Sequence, residues 1–205
     1  MSCKTSGRSR FAAHASLCAL TIALVLGLVA CQKDEGPGSY VADSKIDGLP
    51  NVQLTDQNGQ TVMLSSLKGR PVLIDFIYTN CKGPCPLLTA KFAMVANLLR
   101  YELGKQVLMV SLTVDPEHDQ PAKLKDYAIA NRAQRDGWYF LTGSPADVDK
   151  VLDAYKIKRL RESDDSVTHM TSFFLLGPDG HEMRIYDGLQ AKPTAVTADI
   201  LRAVG

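Results

Sequence analysis

The apolar positions in the middle of the chain follow two patterns, a continuous run that is typical of a buried strand and a spacing that is typical of a helix. Residues 70–78 form a nearly unbroken β-branched and aromatic run next to Gly69 and Pro71, which is typical of a buried central strand. Over residues 87–103 the apolar positions recur at helical spacing with polar residues between them, which predicts an amphipathic helix. A second apolar run over residues 107–114 predicts another buried strand. The centre of the domain is therefore expected to be strand, helix, strand.

The flanking segments extend this alternation. Asn58 and Gly59 separate two short alternating segments, 52–55 and 60–64, and this arrangement is a strong signal of a β-hairpin. Farther along, the sequence predicts helices over 120–131, 144–155 (capped by Ser144) and 193–203, strands over 139–141, 173–176 and 182–186, and a polar loop over 159–165. The inward-facing residues of the first of these helices are expected to be Leu124, Tyr127, Ala128 and Ile129.

The order of these elements gives the fold class. Strands that alternate with helices imply a central sheet with helices on its faces and parallel strand pairs at each crossover. The last two strands are expected to add an antiparallel hairpin at the sheet edge. With a cysteine pair between the first central strand and its helix, the pattern predicts an α/β domain of thioredoxin-like fold, in which helices flank a central mixed β-sheet that begins with an N-terminal β-hairpin.

The first thirty residues have the layout of a secretory signal peptide. Three basic residues within the first ten precede an apolar stretch over 17–30. Residues 28–31, Leu-Val-Ala-Cys, resemble a bacterial lipobox, in which the cysteine is acylated and becomes the new N-terminus after cleavage. An uncleaved transmembrane anchor is the alternative, but such an anchor requires roughly 20 apolar residues, and His14 shortens the apolar run.

The expected chain organisation has three parts. Residues 1–30 are assigned to a lipoprotein signal peptide, residues 31–47 to a flexible tether and residues 48–205 to the thioredoxin-like domain. The tether assignment depends on its many Gly, Ser, Asp and Lys residues. Lipidation of Cys31 predicts a location in the bacterial cell envelope, with the domain lipid-anchored to a membrane on the periplasmic side.

The charge of the mature chain excludes one class of partner. Removing Lys4, Arg8 and Arg10 with the leader leaves 20 basic residues against 22 acidic ones, a formal charge of −2. Since the sequence also lacks a basic patch, no nucleic acid is expected as a partner.

Cys81 and Cys85 are the central chemical signal. They remain as the only thiols if the leader is cleaved and Cys31 is acylated. Pro86 suits the first helical position, which would put Cys85 at or near the N-cap, where the helix dipole lowers the pKa of a thiol. Two thiols four residues apart suit either a redox-active disulfide or two thiolate ligands of one metal ion. A metal ion would then need a third ligand.

His169 is the candidate for that third ligand. His14 leaves with the signal peptide, and His118 and His181 lie in polar loops where they are expected to be solvated. His169 comes shortly before a predicted strand, where the corresponding loop of a thioredoxin fold faces the cysteine pair, and this loop contains no proline. Two thiolates and an imidazole suit copper, and soft thiolates favour Cu(I).

Three further residues are candidates for the surroundings of the site. Asp115 and Asp119 follow the second central strand, at the sheet edge where α/β domains place function. Their alternative role is to cap a turn. Met170 is a soft donor beside His169, although a methionine next to a strand is more often a packing residue.

Several segments, in order over residues 48–187, carry a resemblance to a known family. They are FIYTNCKGPCP, VSLTVDPEHD, LKDY, FLTG, and His169 ahead of FFLLGPDG. In these segments the sequence resembles the Sco/SenC family of copper-binding assembly proteins. It departs from the family at residues 82–84, Lys-Gly-Pro, where members more often carry an acidic residue, and at Thr168, where an aspartate often precedes the histidine.

The resemblance implies a site and a role. It implies that Cys81, Cys85 and His169 bind one copper ion per domain, as Cu(I), Cu(II) or both, and that the two cysteines form a redox-active disulfide. The implied function is that of a metallochaperone, which delivers copper to the Cu-A site of cytochrome c oxidase, or reduces the cysteines of that site, during assembly. The implied partners are the oxidase subunit that carries Cu-A and another copper chaperone.

The sequence leaves a second function open. Cys81 and Cys85 could form a metal-free thiol-disulfide reductase, in which His169 only adjusts the pKa of a thiol. Enzymatic activity is therefore undecided, and the metallochaperone is the primary prediction. A peroxidase of the thioredoxin type is a third interpretation, but nothing in the sequence marks a peroxide pocket.

Overall fold

The computed structural model describes residues 39–40, 46, 48–161, 167–169 and 171–205. The predicted signal peptide 1–30, the predicted lipidation site Cys31 and most of the predicted tether 31–47 lie outside the described residues. Within the described ranges, no helix is both long enough and apolar enough to cross a membrane.

Strands and helices alternate through the described residues. The strands are β1 (Ser39–Tyr40), β2 (Gln53–Asp56), β3 (Thr61–Met63), β4 (Val72–Ile77), β5 (Leu108–Thr113), β6 (Trp138–Thr142), β7 (Leu160–Arg161), β8 (Val167–Thr168), β9 (Ser172–Leu176) and β10 (Glu182–Asp187). The α-helices are α1 (Cys85–Leu98), α2 (Pro121–Ala130), α3 (Pro145–Ala154) and α4 (Pro193–Val204), and a 3-10 helix (Leu64–Leu67) follows β3. The predicted cap of α3 is confirmed, because the Ser144 side chain accepts a hydrogen bond from the Asp147 N–H.

Eight of the described strands form one mixed sheet in the order β1-β10-β9-β4-β5-β6-β2-β3. Strand β4 is parallel to β5, and β5 is parallel to β6, as expected for helical crossovers. The predicted N-terminal hairpin is confirmed as the antiparallel pair β2 and β3. Strands β7 and β8 form a separate antiparallel pair.

The position of the closing hairpin corrects one expectation. Strand β9 does not lie at a sheet edge but pairs antiparallel with β4. Since β5 already occupies the other side of β4, β9 takes the free side, and β10 and then β1 follow outward. Residues 39–40, within the predicted tether, thus pair with the outer edge of β10.

The central strands are buried on both faces, which explains their continuous apolar runs. Every residue of β4 and β5 is buried. Alternate β4 residues point to opposite faces, with Phe76 in one apolar cluster and Leu73 in the other. Helices α1, α2 and α4 cover the Leu73 face and α3 covers the Phe76 face, so the carboxyl end of β4 is held between packed layers.

Three local predictions are wrong. Helix α1 begins at Cys85, with Pro84 as its N-cap. Pro84 already has near-helical angles of φ −75° and ψ −22°, so the helix starts one residue earlier than expected. Ile129 of α2 is 52% exposed, because only the stripe through Leu124 and Ala128 reaches the sheet. Part of the predicted polar loop 159–165 is strand β7, and residues 162–166 lie outside the described residues.

Candidate metal centre

The cysteine loop, residues 78–85, connects the end of β4 to the start of α1. Cys81 lies in this loop and Cys85 is the first helical residue. Both side chains are buried and both are free thiols. The predicted disulfide between them therefore stays a prediction.

The two thiols have different environments. The backbone N–H of Cys85 donates to Cys81 Sγ at 3.5 Å, so Cys81 faces the unpaired N–H groups of the helix start. A hydrogen bond from the Cys85 thiol, and then the N–H groups of Cys85 and Gly83, lower the pKa of Cys81 to about 5. The Cys81 sulfur and burial raise the pKa of Cys85.

This asymmetry corrects the expectation that Cys85 benefits from the helix dipole. Because α1 starts at Cys85, the Cys85 side chain turns into the core, while Cys81 lies ahead of the first turn. Cys81 is therefore the thiol that is stabilised as a thiolate.

His169 follows β8 and reaches the cysteine pair. Its Nε2 lies 3.8 Å from Cys85 Sγ. Bonds of about 2.3 Å to a thiolate and about 2.0 Å to an imidazole, the values for Zn²⁺, put sulfur and nitrogen about 3.7 Å apart at a trigonal angle. The observed separation thus fits one metal ion bound between Cys85 and His169.

The site is not fully assembled for a metal ion. Across the described ranges, no three Cys, His, Asp or Glu side chains are already grouped to hold one. Cys85 Sγ and His169 Nε2 are already at a distance that suits one ion, and Cys81 Sγ accepts a hydrogen bond from the Cys85 N–H. Coordination by all three side chains requires a local adjustment, and the donor set of two sulfurs and one imidazole is one that suits copper.

Tyr78 is a site residue that the sequence reasoning missed. Its ring lies edge-on to the His169 ring, with centroids 6.0 Å apart and planes at 78°. Burial raises the pKa of Tyr78, and the backbone of Val167 and the Cys81 side chain also act on its hydroxyl. Tyr78 thus lies between the cysteine loop and β8. Its place three residues before Cys81, directly after the buried strand, is the signal that marks it.

Asp119 braces the cysteine loop. It is buried, and its Oδ2 accepts the Thr79 N–H at 3.0 Å and the Thr113 hydroxyl at 2.6 Å. Its Oδ1 accepts the Thr79 hydroxyl. Asp119 therefore joins the end of β5 to the residue two positions before Cys81.

The other two candidates for the surroundings of the site are Asp115 and Met170. Asp115 pairs with His118, whose Nδ1 lies 3.0 Å from each carboxylate oxygen. His118 lies at the surface, where its side chain is half exposed, as the sequence predicted. Met170 lies outside the described residues.

The sequence reasoning also missed Asp75, because it is a single polar residue within the apolar strand β4. It is fully buried, and within the described residues neither carboxylate oxygen has a hydrogen-bond partner. Burial is the main cause that raises its pKa to about 7. The Asp75 charge in turn helps to raise the pKa of Cys85.

Comparison with known proteins identifies the family. The sequence profile described as SCO1/SenC matches residues 44–205. The chain belongs to the SCO1/SenC family. The SCO1 protein homolog of Bacillus subtilis is 40% identical over 141 residues, which cover 67% of this chain and 72% of that protein.

Solved SCO1/SenC structures share the fold. A SCO1/SenC family lipoprotein from Bacillus anthracis gives a TM-score of 0.71 at 28% identity, over 80% of this chain and 100% of the other. ScoI of Bradyrhizobium japonicum, solved with copper bound, gives 0.65 at 32% identity, over 76% and 98%. BsSco, a member of the Sco family of cytochrome c oxidase assembly proteins with a disulfide switch, gives 0.68 at 32% identity, over 80% and 98%. The predicted thioredoxin-like α/β fold is confirmed.

Proposed function

We propose that this SCO1/SenC protein is a membrane-tethered copper-binding protein that delivers copper to the Cu-A site of cytochrome c oxidase, or reduces the cysteines of that site, during assembly. The observation that carries the proposal is the 3.8 Å separation of Cys85 Sγ and His169 Nε2 beside a second buried thiol, Cys81. Copper bound to the related ScoI, and the oxidase assembly role of the family that includes BsSco, support it.

The asymmetric thiols suit the capture of one copper ion per domain. Metal ligands must be deprotonated, so binding releases protons. With its lowered pKa, Cys81 is a thiolate at neutral pH and can make the first bond. Cys85 then loses its proton as the ion's positive charge approaches, and His169 Nε2 supplies the third donor. Transfer to the oxidase subunit that carries Cu-A, and loading by another copper chaperone, follow from the family role.

The proposed location is the periplasmic side of a membrane in the bacterial envelope. We propose that residues 1–30 are cleaved as a signal peptide, that Cys31 is lipidated and that residues 31–47 tether the domain 48–205. The lipobox-like residues 28–31 and the relation to a SCO1/SenC lipoprotein support this proposal. Replacing Cys31 by Ser should move the protein out of the membrane fraction, whereas an unchanged fraction would support an uncleaved anchor.

A metal-free thiol-disulfide reductase is the second candidate. It is favoured by the split between Cys81, whose pKa is lowered, and Cys85, whose pKa is raised and whose side chain is buried. Such a split is typical of a pair in which one thiolate attacks a disulfide and the second thiol resolves the mixed disulfide. In this reaction the Cys81 thiolate attacks one sulfur of the target disulfide and releases the other target sulfur as a thiolate. Cys85 passes its proton to that thiolate and attacks Cys81 Sγ of the mixed disulfide, which releases the second target thiolate and leaves Cys81 and Cys85 as a disulfide.

One titration separates the two functions. The reduced full-length protein in detergent is titrated with copper and compared with His169→Ala and with the matched control His181→Ala, an exposed histidine of a turn. Copper delivery predicts one bound ion in the wild type and in His181→Ala, and a loss of at least about tenfold in affinity in His169→Ala. Equal binding by His169→Ala, or no binding by the wild type, rules the copper function out. Turnover on a disulfide substrate that survives His169→Ala favours the reductase.

A further inference from the structure

The 114–119 loop, between β5 and α2, touches the cysteine side of the site. Asp119, at its end, holds Thr79 through both the backbone N–H and the hydroxyl. The same carboxylate holds Thr113 at the end of β5. The Asp119 backbone N–H donates to the Asp115 carbonyl at 2.9 Å, which closes the loop on itself. A displacement of this loop would therefore be passed directly to the residues before Cys81.

The same loop is held from the other side by Arg159. Its guanidinium donates to the Val114 carbonyl at 3.2 Å and to both carboxylate oxygens of Glu117, the shorter contact being 2.9 Å. Its Nε donates to Asp149 of α3 at 2.9 Å. The planar guanidinium thus joins the loop and α3 in a fixed geometry that a lysine could not reproduce.

Arg159 leads directly into the histidine side of the site. The next two residues are β7, and β7 pairs with β8 in the register Leu160 to Thr168. His169 is the residue after β8. We call β7, β8 and His169 the histidine arm. Its entry point is thus fixed by Arg159, one residue before its first strand.

We propose that the 114–119 loop is a shared clamp that sets the distance between the cysteine pair and His169. Asp119 positions the cysteine loop and Arg159 positions the histidine arm, and neither residue is a proposed copper ligand. The relevance of the clamp to copper rests on the proposed function, whereas its effect on the placement of His169 does not.

The contacts of Arg159 are better suited to positioning than to stability. Its side chain is 19% exposed, and its partners Glu117 and Asp149 are 40% and 51% exposed. Ion pairs with this exposure add little to the free energy of folding. A bidentate arginine that also holds a backbone carbonyl nevertheless restricts the orientation of the segment that follows it.

The first test is made without metal. In the reduced, metal-free full-length protein in detergent micelles, the Overhauser effect between the ring protons of Tyr78 and His169 reports their contact. Arg159→Met is expected to abolish this signal. The matched control is Arg184→Met, which removes a similarly exposed arginine (28%) of β10 from its ion pair with Asp199 of α4. Strand β10 lies two strands away from β4. The control should keep the signal, and both variants should unfold at similar temperatures.

The second test separates the two ends of the clamp. Arg159→Met is expected to lower copper affinity about tenfold, the usual effect of losing a residue that orients a metal ligand, and to change the alkylation rate of Cys81 less than Asp119→Asn does, because Asp119 still joins Thr79 to Thr113. Asp119→Asn should change that alkylation rate, because it alters the hold on Thr79. Glu117→Ala, which removes the bidentate partner of Arg159, should repeat the effect of Arg159→Met and serves if that variant does not fold.

The outcomes distinguish the clamp from the copper function. An Arg159→Met or Glu117→Ala variant that keeps the ring contact overturns the clamp, as does an Arg184→Met variant that loses it equally. A wild type that binds no copper overturns the proposed function. The clamp is then still tested by the Overhauser effect between the Tyr78 and His169 rings, which needs no metal.

Discussion

The cysteine loop and the histidine arm meet at one site but are held in different ways. The cysteine loop lies between β4, whose six residues are all buried, and α1, which packs on the sheet through Leu88, Phe92 and Val95. The histidine arm consists of two strands of two residues each, and it meets the rest of the domain through Arg159, through the Tyr78 ring and through Val167, which is buried in the same apolar cluster as Phe76. The thiol pair is therefore placed by two long core elements, and the imidazole by a short strand pair with one buried apolar anchor.

This difference separates the two chemistries of the site. Thiol-disulfide exchange needs only the cysteine pair, and the core maintains that pair as long as the domain is folded. The proposed copper binding also needs His169, and we expect its position to change more readily than that of the thiols because the strands of the histidine arm are short. Substitutions should therefore affect copper binding alone when they touch the histidine arm, and both chemistries when they touch the core under α1.

The largest effect is expected from the core beneath the cysteine loop. Phe92 is fully buried, with ring centroids 4.7 Å from Phe173 and 5.7 Å from Trp138. Phe92→Ala should lower the free energy of unfolding by about 3–5 kcal/mol. In urea titrations, dithiol reactivity and copper binding should be lost together with the fold.

A residue on the same helix provides the control for Phe92. Leu98 is 51% exposed, so Leu98→Ala should change the free energy of unfolding by no more than about 0.5 kcal/mol. If Phe92→Ala abolished copper binding at urea concentrations where its fold is intact, the cysteine side would not be placed by the core in the way described.

A smaller effect on stability is expected from Asp75 of β4, the strand that leads into the cysteine loop. Its folded pKa is about 7, whereas an unfolded aspartate titrates near about 3.9. The folded state thus keeps a proton that the unfolded state has lost, so this stabilisation is complete below about pH 4 and is lost as the pH rises to about 7. Between pH 5 and pH 8 the wild type should lose on the order of 2 kcal/mol in urea unfolding.

Asp75→Asn should flatten this dependence. The amide does not ionise, so its free energy of unfolding should change little over the same pH range. Asp126→Asn, which changes an exposed carboxylate of α2, should keep the wild-type slope. A wild-type stability that rises from pH 5 to pH 8 would contradict the burial of an uncompensated carboxyl group in β4.

The smallest effect is expected at the ring contact of the histidine arm. Edge-to-face aromatic pairs contribute about 0.5–1.5 kcal/mol beyond the area they bury. Tyr78→Leu should therefore lower copper affinity by about two- to tenfold, with the fold intact, as measured by competition titration. Tyr78→Phe keeps the ring and should bind copper within about twofold of the wild type. Equal losses in both variants would assign the effect to the hydroxyl instead of the ring.

Much of the fold could be predicted because its signals are local. The apolar run of β4, the Asn-Gly hairpin and the Ser144 cap each depend on residues that are neighbours in sequence. The predictions that were wrong concern features that depend on contacts between residues far apart in the sequence. Ile129 faces solvent because the sheet covers only one stripe of α2, and β9 is internal because β5 had already taken the other side of β4.

The candidate site shows the same division. His169 could be singled out by its place before a strand, and it lies beside Cys85. The acidity of Cys81, instead of Cys85, depends on where α1 begins, which differed from the sequence pattern by one residue. Only its place beside the cysteine loop could have marked Tyr78, because its contact with His169 spans 91 residues. Arg159 could not be recognised, because its contact with Glu117 spans 42 residues.

The pairing of β1 with β10 also has a consequence for self-association. Without Ser39 and Tyr40, the six-residue strand β10 would present an open edge, and such an edge is a template for pairing with another copy of the chain. At the opposite end of the sheet the exposed edge is β3, which is only three residues long. The short strand ahead of the domain therefore shields this edge at Ile185 and Tyr186, in the carboxyl half of β10, and should disfavour pairing with another copy there.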